Sequence, residues 1–198
     1  LAITDHHQPW DQGRNCIGPE NWARTIEAIK QFHQPGRFVT FPGFEFRGPR
    51  GDSEVVLGRE MDYDEIFQPD WSDIRKVWAG LADESALTIP HYHNLGRLDD
   101  QQWWAGPNEI EPVVEVFSCH GSYECEHPPE ARRADCKKFR SDRNVAWLLG
   151  QGIRAGLVAN SDGHKGHPGS QGLTGVLAKE LTREAILEAY RARRIFAT

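Results

Sequence analysis

The chain has 198 residues, 23 Lys and Arg against 29 Asp and Glu, a formal net charge of −6 with neutral histidines, and 38% hydrophobic residues, which is ordinary for one globular core. The acidic balance gives no basic face for nucleic acid, and no apolar run approaches the roughly 20 residues that span a bilayer. No basic-then-apolar leader opens the chain. Leu1 starts inside a strand-like run and Thr198 closes another, Ile195-Phe196-Ala197, so the chain is expected to be an excerpt of a longer domain. The compartment stays open, with the cytoplasm as default. Cys16, Cys119, Cys125 and Cys136 have no CxxC spacing and read as free thiols rather than a zinc ribbon or disulfide framework.

In chain order, the apolar residues 1–4 form a β-prone run that ends in Asp5-His6-His7, with His7 read as a loop residue. A loop carrying Trp10 follows. Residues 20–32 place Trp22, Ile26, Ile29 and Phe32 at helical spacing, with Pro19 suited to the first turn. Residues 37–41 are β-rich and run into Pro42-Gly43-Phe44-Glu45-Phe46; residues 54–57 read as the hairpin mate across a Gly- and Pro-rich turn. Residues 71–81 read as a helix. Residues 86–89 read as a strand ending in Pro90-His91-Tyr92-His93-Asn94, followed by a polar connection with Trp103 and Trp104.

Residues 113–117 form another strand, ending in Ser118-Cys119-His120-Gly121. Residues 129–150 read as a long basic helix, at least in the second half. The run Gly156-Leu157-Val158-Ala159 lacks polar alternation, as expected where both faces of a strand are covered. It stops at Asn160-Ser161-Asp162-Gly163-His164. A strand over 174–178 and a helix over 182–194, with Thr182 as N-cap, complete the order. Strand-then-helix alternation predicts a parallel sheet or barrel.

Five strand-like runs thus end in residues able to bind metal: Asp5-His6-His7, Glu45, His91 with His93, His120, and Asp162 with His164. In a parallel barrel, the C-terminal strand ends share one face, so these residues would converge. Asp162 and His164 lie two apart and point the same way in extended backbone. Carboxylate and imidazole together suit zinc, iron or manganese. Each ending has a plainer reading by itself. Ser161-Asp162-Gly163 is ordinary turn chemistry with Gly163 at positive φ. A lone histidine after a strand is usually a hydrogen-bonded loop residue, and Glu45 would serve equally as a buried ion-pair partner. Glu115, mid-strand, either lines the interior or is a structural carboxylate.

Ile3-Thr4-Asp5-His6, Pro42-Gly43-Phe44-Glu45, Ile89-Pro90-His91, Val114-Glu115-Val116, Asn160-Ser161-Asp162-Gly163-His164 and the closing Arg194-Ile195-Phe196-Ala197-Thr198 occur in an order that resembles the polymerase and histidinol phosphatase (PHP) superfamily. The segment from Ser118 to Glu124 is similar to a branch described only as a domain of unknown function (DUF3604). The resemblance spans nearly the whole chain and implies a single domain, a distorted (β/α)7 TIM-like barrel. It implies two or three divalent ions (Zn, Mn or Fe) and hydrolysis of a small-molecule phosphate ester by a metal-activated hydroxide. On this resemblance His6, Glu45, His91, His120, Asp162 and His164 are the metal ligands, Glu45 bridging two ions. Asp5, His93 and Arg97 are catalytic candidates, and Arg47, Lys165 and His167 are substrate-binding candidates. The family's first motif, His-x-His on the first strand, is absent, and the expected reason is that this strand lies outside the chain. Two other readings remain: hydrolysis of an amide or lactone, and a non-catalytic PHP-like module.

Overall fold

The computed structural model describes residues 1–7, 17–48, 51–67, 71–82, 85–91, 106–125, 144–164 and 166–198. One sheet holds β1 (His6–His7), β2 (Gly43–Gly48), β3 (Gly51–Leu57) and β4 (Ala86–His91) in that order. A second holds β5 (Val113–Ser118) between β6 (Gly121–Ser122) and β7 (Gly156–Ala159), and β8 (Thr174–Val176) pairs with β9 (Ile195–Ala197). The helices are α1 (Pro19–Phe32), α2 (Tyr63–Phe67), α3 (Ile74–Gly80), α4 (Val145–Gly150) and α5 (Arg183–Arg191). β4 lies against β5, and β7 against β9. None of the described helices is long and apolar enough to cross a membrane.

The architecture is mixed α/β, and the expected parallel pairing is joined by antiparallel pairing in the same sheets. β1–β2 and β5–β7 are parallel, but β3 runs antiparallel to both β2 and β4, and β8 antiparallel to β9. The physical reason lies in the connections. β2 turns directly into its hairpin mate β3, as the Gly- and Pro-rich turn predicted, and a tight turn can only reverse the chain. The described strands do not close into a barrel.

The first sheet shows why its two faces differ. In β2 the sequence Phe44-Glu45-Phe46-Arg47 alternates, so Phe44 and Phe46 point one way and Glu45 and Arg47 the other. Phe44 and Phe46 are buried with Val55, Leu57, Trp22, Ile66, Trp71 and Val77 beneath α1, α2 and α3. Each such phenylalanine contributes about 1.5–3 kcal/mol by leaving water. A one-residue slip would exchange these rings for Glu45 and Arg47, so the apolar face also fixes the register of the polar one. Gly43 permits the close pairing, since a Cβ there would stand 2.6 Å from the Val55 carbonyl oxygen.

Several elements differ in extent from expectation. Residues 1–4 contribute only a bridge from Ala2 to Phe41; Leu1 and Ile3 lie at an exposed margin, and the strand is the His6–His7 pair itself. α1 starts at Pro19 and buries Trp22 and Ile29, while Phe32, on the last turn, is exposed. α3 begins only at Ile74, where the Asp73 side chain accepts a hydrogen bond from Arg75 N; Trp71 precedes it and stacks on Phe44. α4 begins at Val145, after Asn144, whose side chain accepts a hydrogen bond from Trp147 N, and the first part of the expected basic helix falls outside the described residues. Thr182 caps α5 as predicted, its Oγ1 accepting from Ala185 N at 3.2 Å.

Candidate metal centre

Pairing in the first sheet brings the polar face together. Register places His6 beside Glu45, Glu45 beside Glu54, Arg47 beside Asp52, and Asp52 beside His91. Glu45 sits between two imidazoles, Oε2 lying 3.0 Å from His6 Nε2 and Oε1 3.6 Å from His91 Nε2. From the second sheet, Glu115 brings Oε1 to 3.8 Å from His91 Nδ1. Glu115 points inward because Val114, one residue earlier, takes the outer face with Val145 and Leu148. The loop after β7 supplies Asp162, whose Oδ2 is 4.0 Å from His91 Nδ1 and 3.0 Å from His120 Nε2. Asn160 Nδ2 donates to Glu115 Oε2 at 2.8 Å and reaches Glu54 Oε2 at 3.5 Å.

Two sets of donor atoms each fall within 4.8 Å of one another: those of Glu54, His91 and Glu115, and those of Cys119, His120 and Asp162. The electrostatics show what the arrangement lacks. Burial pushes the Glu115 carboxyl up to about 8 and that of Glu54 up to about 7, against the pull of His91. His91, whose burial disfavours the cation, is nevertheless drawn well above its ordinary value by Glu45, Glu115 and Glu54. Glu45 also feels burial, but His6 and His91 hold it down to about 2. For Asp162, His120 and then His91 outweigh burial and keep the carboxyl below its usual range. Four carboxyl groups thus share one buried histidine.

Whether the residues fit a divalent ion is answered by their unpaired atoms. Both ring nitrogens of His91, Glu115 Oε1 and Asp162 Oδ2 are buried without an aligned hydrogen-bond partner. Buried polar atoms are nearly always paired, so four converging exceptions of ligand type fit a cation. His91, Glu45, Glu115 and Asp162 could hold one, with His6, Glu54, His120 and Cys119 at the margins.

Of the six residues expected as ligands, the structure brings together His6, Glu45, His91, His120 and Asp162. His164 stands apart: its side chain is 61% exposed, with Nδ1 3.0 Å from the Asp162 carbonyl oxygen and 3.8 Å from Asp162 Oδ1. The extended backbone assumed for the Asp162–His164 pair is broken at Asp162, which takes φ 43. Asp162 therefore occupies the left-handed position that the turn reading gave to Gly163, a conformation aspartate tolerates better than most residues. The Asp5 side chain is exposed, while its carbonyl oxygen accepts from Glu45 N at 3.0 Å. Arg47 Nε donates to Asp52 Oδ2 at 3.1 Å, and His167 is exposed. His93, Arg97 and Lys165 lie outside the described residues, as do Trp10, Trp103, Trp104, Cys16 and Cys136.

His7, expected in a loop, is instead buried on the apolar face, its ring 4.2 Å from that of Phe67, and burial takes it down to about 4. Strand parity explains the exchange, because His6 faces Glu45 and its neighbour must face the core. Glu54, Asn160 as a ligand-positioning donor, and Cys119 were not singled out by sequence reasoning. For Glu54 the available signal was a carboxylate opening the apolar run Val55-Val56-Leu57 of the hairpin strand.

No protein-family model matches the chain. An uncharacterized protein of Chlamydia pneumoniae is 23% identical over 207 residues, covering 94% of this chain and 33% of that protein. A two-domain protein from Bacteroides vulgatus, containing a predicted PHP-like metal-dependent phosphoesterase, superposes with a TM-score of 0.58 at 18% identity, over 100% of this chain and 55% of that one. The two share a fold. The chain spans about a third of the Chlamydia protein and about half of the Bacteroides chain.

Proposed function

We propose that the chain is a metal-dependent hydrolase of the PHP type, and that its reaction is hydrolysis of a small-molecule phosphate ester. The observation that carries this reading is the convergence on Glu45 of His91, Glu115 and Asp162, whose donor atoms are buried and unpaired. The fold shared with a protein that contains a predicted phosphoesterase supports it. On this reading the 198 residues are one domain and the three sheets are parts of one distorted seven-stranded β/α barrel, in keeping with the contact of β4 with β5 and of β7 with β9.

His6, Glu45, His91, His120 and Asp162, joined by Glu115 in place of the outlying His164, would hold two or three ions, zinc, manganese or iron being suited to mixed imidazole and carboxylate donors. When bound, such ions neutralise the charge that keeps an anionic ester from its nucleophile and bring the pKa of a water toward neutrality. The remaining roles belong to the protein. Asp5 acts as a positioning residue through its carbonyl, which holds the backbone of Glu45. Arg47, Lys165 and His167 orient substrate oxygens. His93 is the proposed general acid, and Arg97 a further catalytic candidate.

The test is a panel of phosphate esters, amides and lactones, assayed after chelation and after reloading with manganese or zinc. Expected is phosphate-ester hydrolysis that disappears with chelator, returns with metal and falls at least about a hundredfold in Glu45→Gln, more than the loss of an outer partner would cause. Turnover of amides or lactones alone, or phosphatase activity indifferent to Glu45→Gln, would overturn the proposal.

A further inference from the structure

Cys119 has no part in the reading above, yet its sulfur stands within the centre. β5 ends at Ser118, and the reversal into β6 passes through Cys119 and His120. That reversal carries both side chains toward the loop after β7. The thiol donates to the Asp162 carbonyl oxygen at 2.9 Å. Its sulfur, a ring nitrogen of His120 and a carboxylate oxygen of Asp162 all lie within 4.8 Å of one another. A tetrahedral zinc ion with bonds of about 2.0–2.3 Å keeps its ligand atoms roughly 3.3–3.8 Å apart, so small side-chain rotations would bring the three donors onto one ion.

A second observation points to a ligand at the same place. His91 is 2% exposed, neither of its ring nitrogens has a hydrogen-bond partner, and Nδ1 lies 4.0 Å from the Asp162 carboxylate. Cys125, the other cysteine among the described residues, belongs to no such group.

We infer that Cys119 is a metal ligand, its thiolate completing with His120 and Asp162 the donor set of one ion. The inference rests on the metal centre proposed above and deepens it by adding sulfur. Binding exchanges a proton for the metal: the S–H bond breaks, the proton goes to solvent, the sulfur–metal bond forms, and the hydrogen bond to the Asp162 carbonyl is given up. The chemical consequence is selectivity. A thiolate favours zinc, iron or cobalt over magnesium, which prefers oxygen donors alone.

The purified protein, stripped of metal and titrated with cobalt(II), provides the test, because cobalt bound to thiolate shows a near-ultraviolet charge-transfer band in addition to its visible d–d bands. The band is expected in the wild type and in Cys125→Ser, and is expected to vanish in Cys119→Ser while d–d absorption persists. The zinc affinity of Cys119→Ser should fall more than about tenfold, the least that even an outer partner contributes. Visible bands without the charge-transfer band in the wild type, or a band that survives in Cys119→Ser, would overturn the sulfur ligand and leave the metal centre standing. No cobalt uptake by the wild type would overturn both. Should Cys119→Ser misfold, alkylation of the wild type decides: zinc should slow modification of Cys119 and not of Cys125, and equal rates with and without zinc refute the assignment.

Discussion

At the scale of single residues, the centre depends on a neutral amide placed between acids. Asn160 donates to Glu115 at 2.8 Å and approaches Glu54 at 3.5 Å, so it holds Glu115 against His91 without adding charge. Partners of this kind, one bond removed from the ligands, typically contribute 10- to 100-fold to metal affinity. Asn160→Ala is accordingly expected to weaken zinc binding by about that factor, measured by titration against a competing chelator; an unchanged affinity would mean that Asn160 only fills space. The ligand types Glu45, His91, His120 and Asp162 were legible in the sequence because each follows an apolar run. Glu54 was not, because its place beside Glu45 depends on the β2–β3 register, and an acid at the head of an apolar run also reads as a solvated strand end. The parity of the Asp5-His6-His7 triplet was equally hidden: it is set by which residue pairs with Glu45.

At the scale of elements, a helix is fastened to the first sheet by one buried cation. Arg183, in the first turn of α5, donates from Nε to the Thr40 carbonyl at 2.6 Å and from a terminal nitrogen to Glu60 Oε1 at 2.8 Å. It is 6% exposed, so removing it leaves the buried Thr40 carbonyl unpaired, while Glu60, at 30% exposure, keeps access to water. Arg183→Met is predicted to lower stability by about 2 kcal/mol, read from urea denaturation. The pH dependence has a definite sign. The hydrogen bond from Arg183 holds the Glu60 carboxyl below its ordinary value of 4.5. A depressed carboxylate contributes fully above that ordinary value and loses its contribution as pH falls through the lower, folded value. The gap between wild type and variant should therefore be widest near neutrality and narrow in acid below about pH 4.5; a gap constant with pH would refute the pairing. Sequence patterns found α1 and α5 with their N-terminal signals. They missed the buried Arg183, since an arginine in a helix's first turn ordinarily reads as solvated.

At the scale of the whole molecule, one face of acids and imidazoles is held over an apolar core that does not need it. The core beneath α1, α2 and α3 contains no site residue, so the fold is expected to survive metal removal while the carboxylates repel one another. An ion at a hundred times its dissociation constant adds about 2.7 kcal/mol to stability. For a chain of this size that raises the melting temperature by about 5–11 °C. Thermal melts with zinc or manganese against chelator measure it, and coincident melts would count against a bound ion. Strand–helix alternation made the class legible, while the antiparallel hairpin was flagged only locally and its effect on the sheet was not. Asn160 and Glu54 meet although 106 residues separate them in sequence. Contacts of such separation form only after long loops have closed, near the end of folding. Stabilisation gained there acts mainly on the rate of unfolding. An ion bound there would thus serve the molecule as a latch on a finished fold, lengthening its lifetime without hastening its birth.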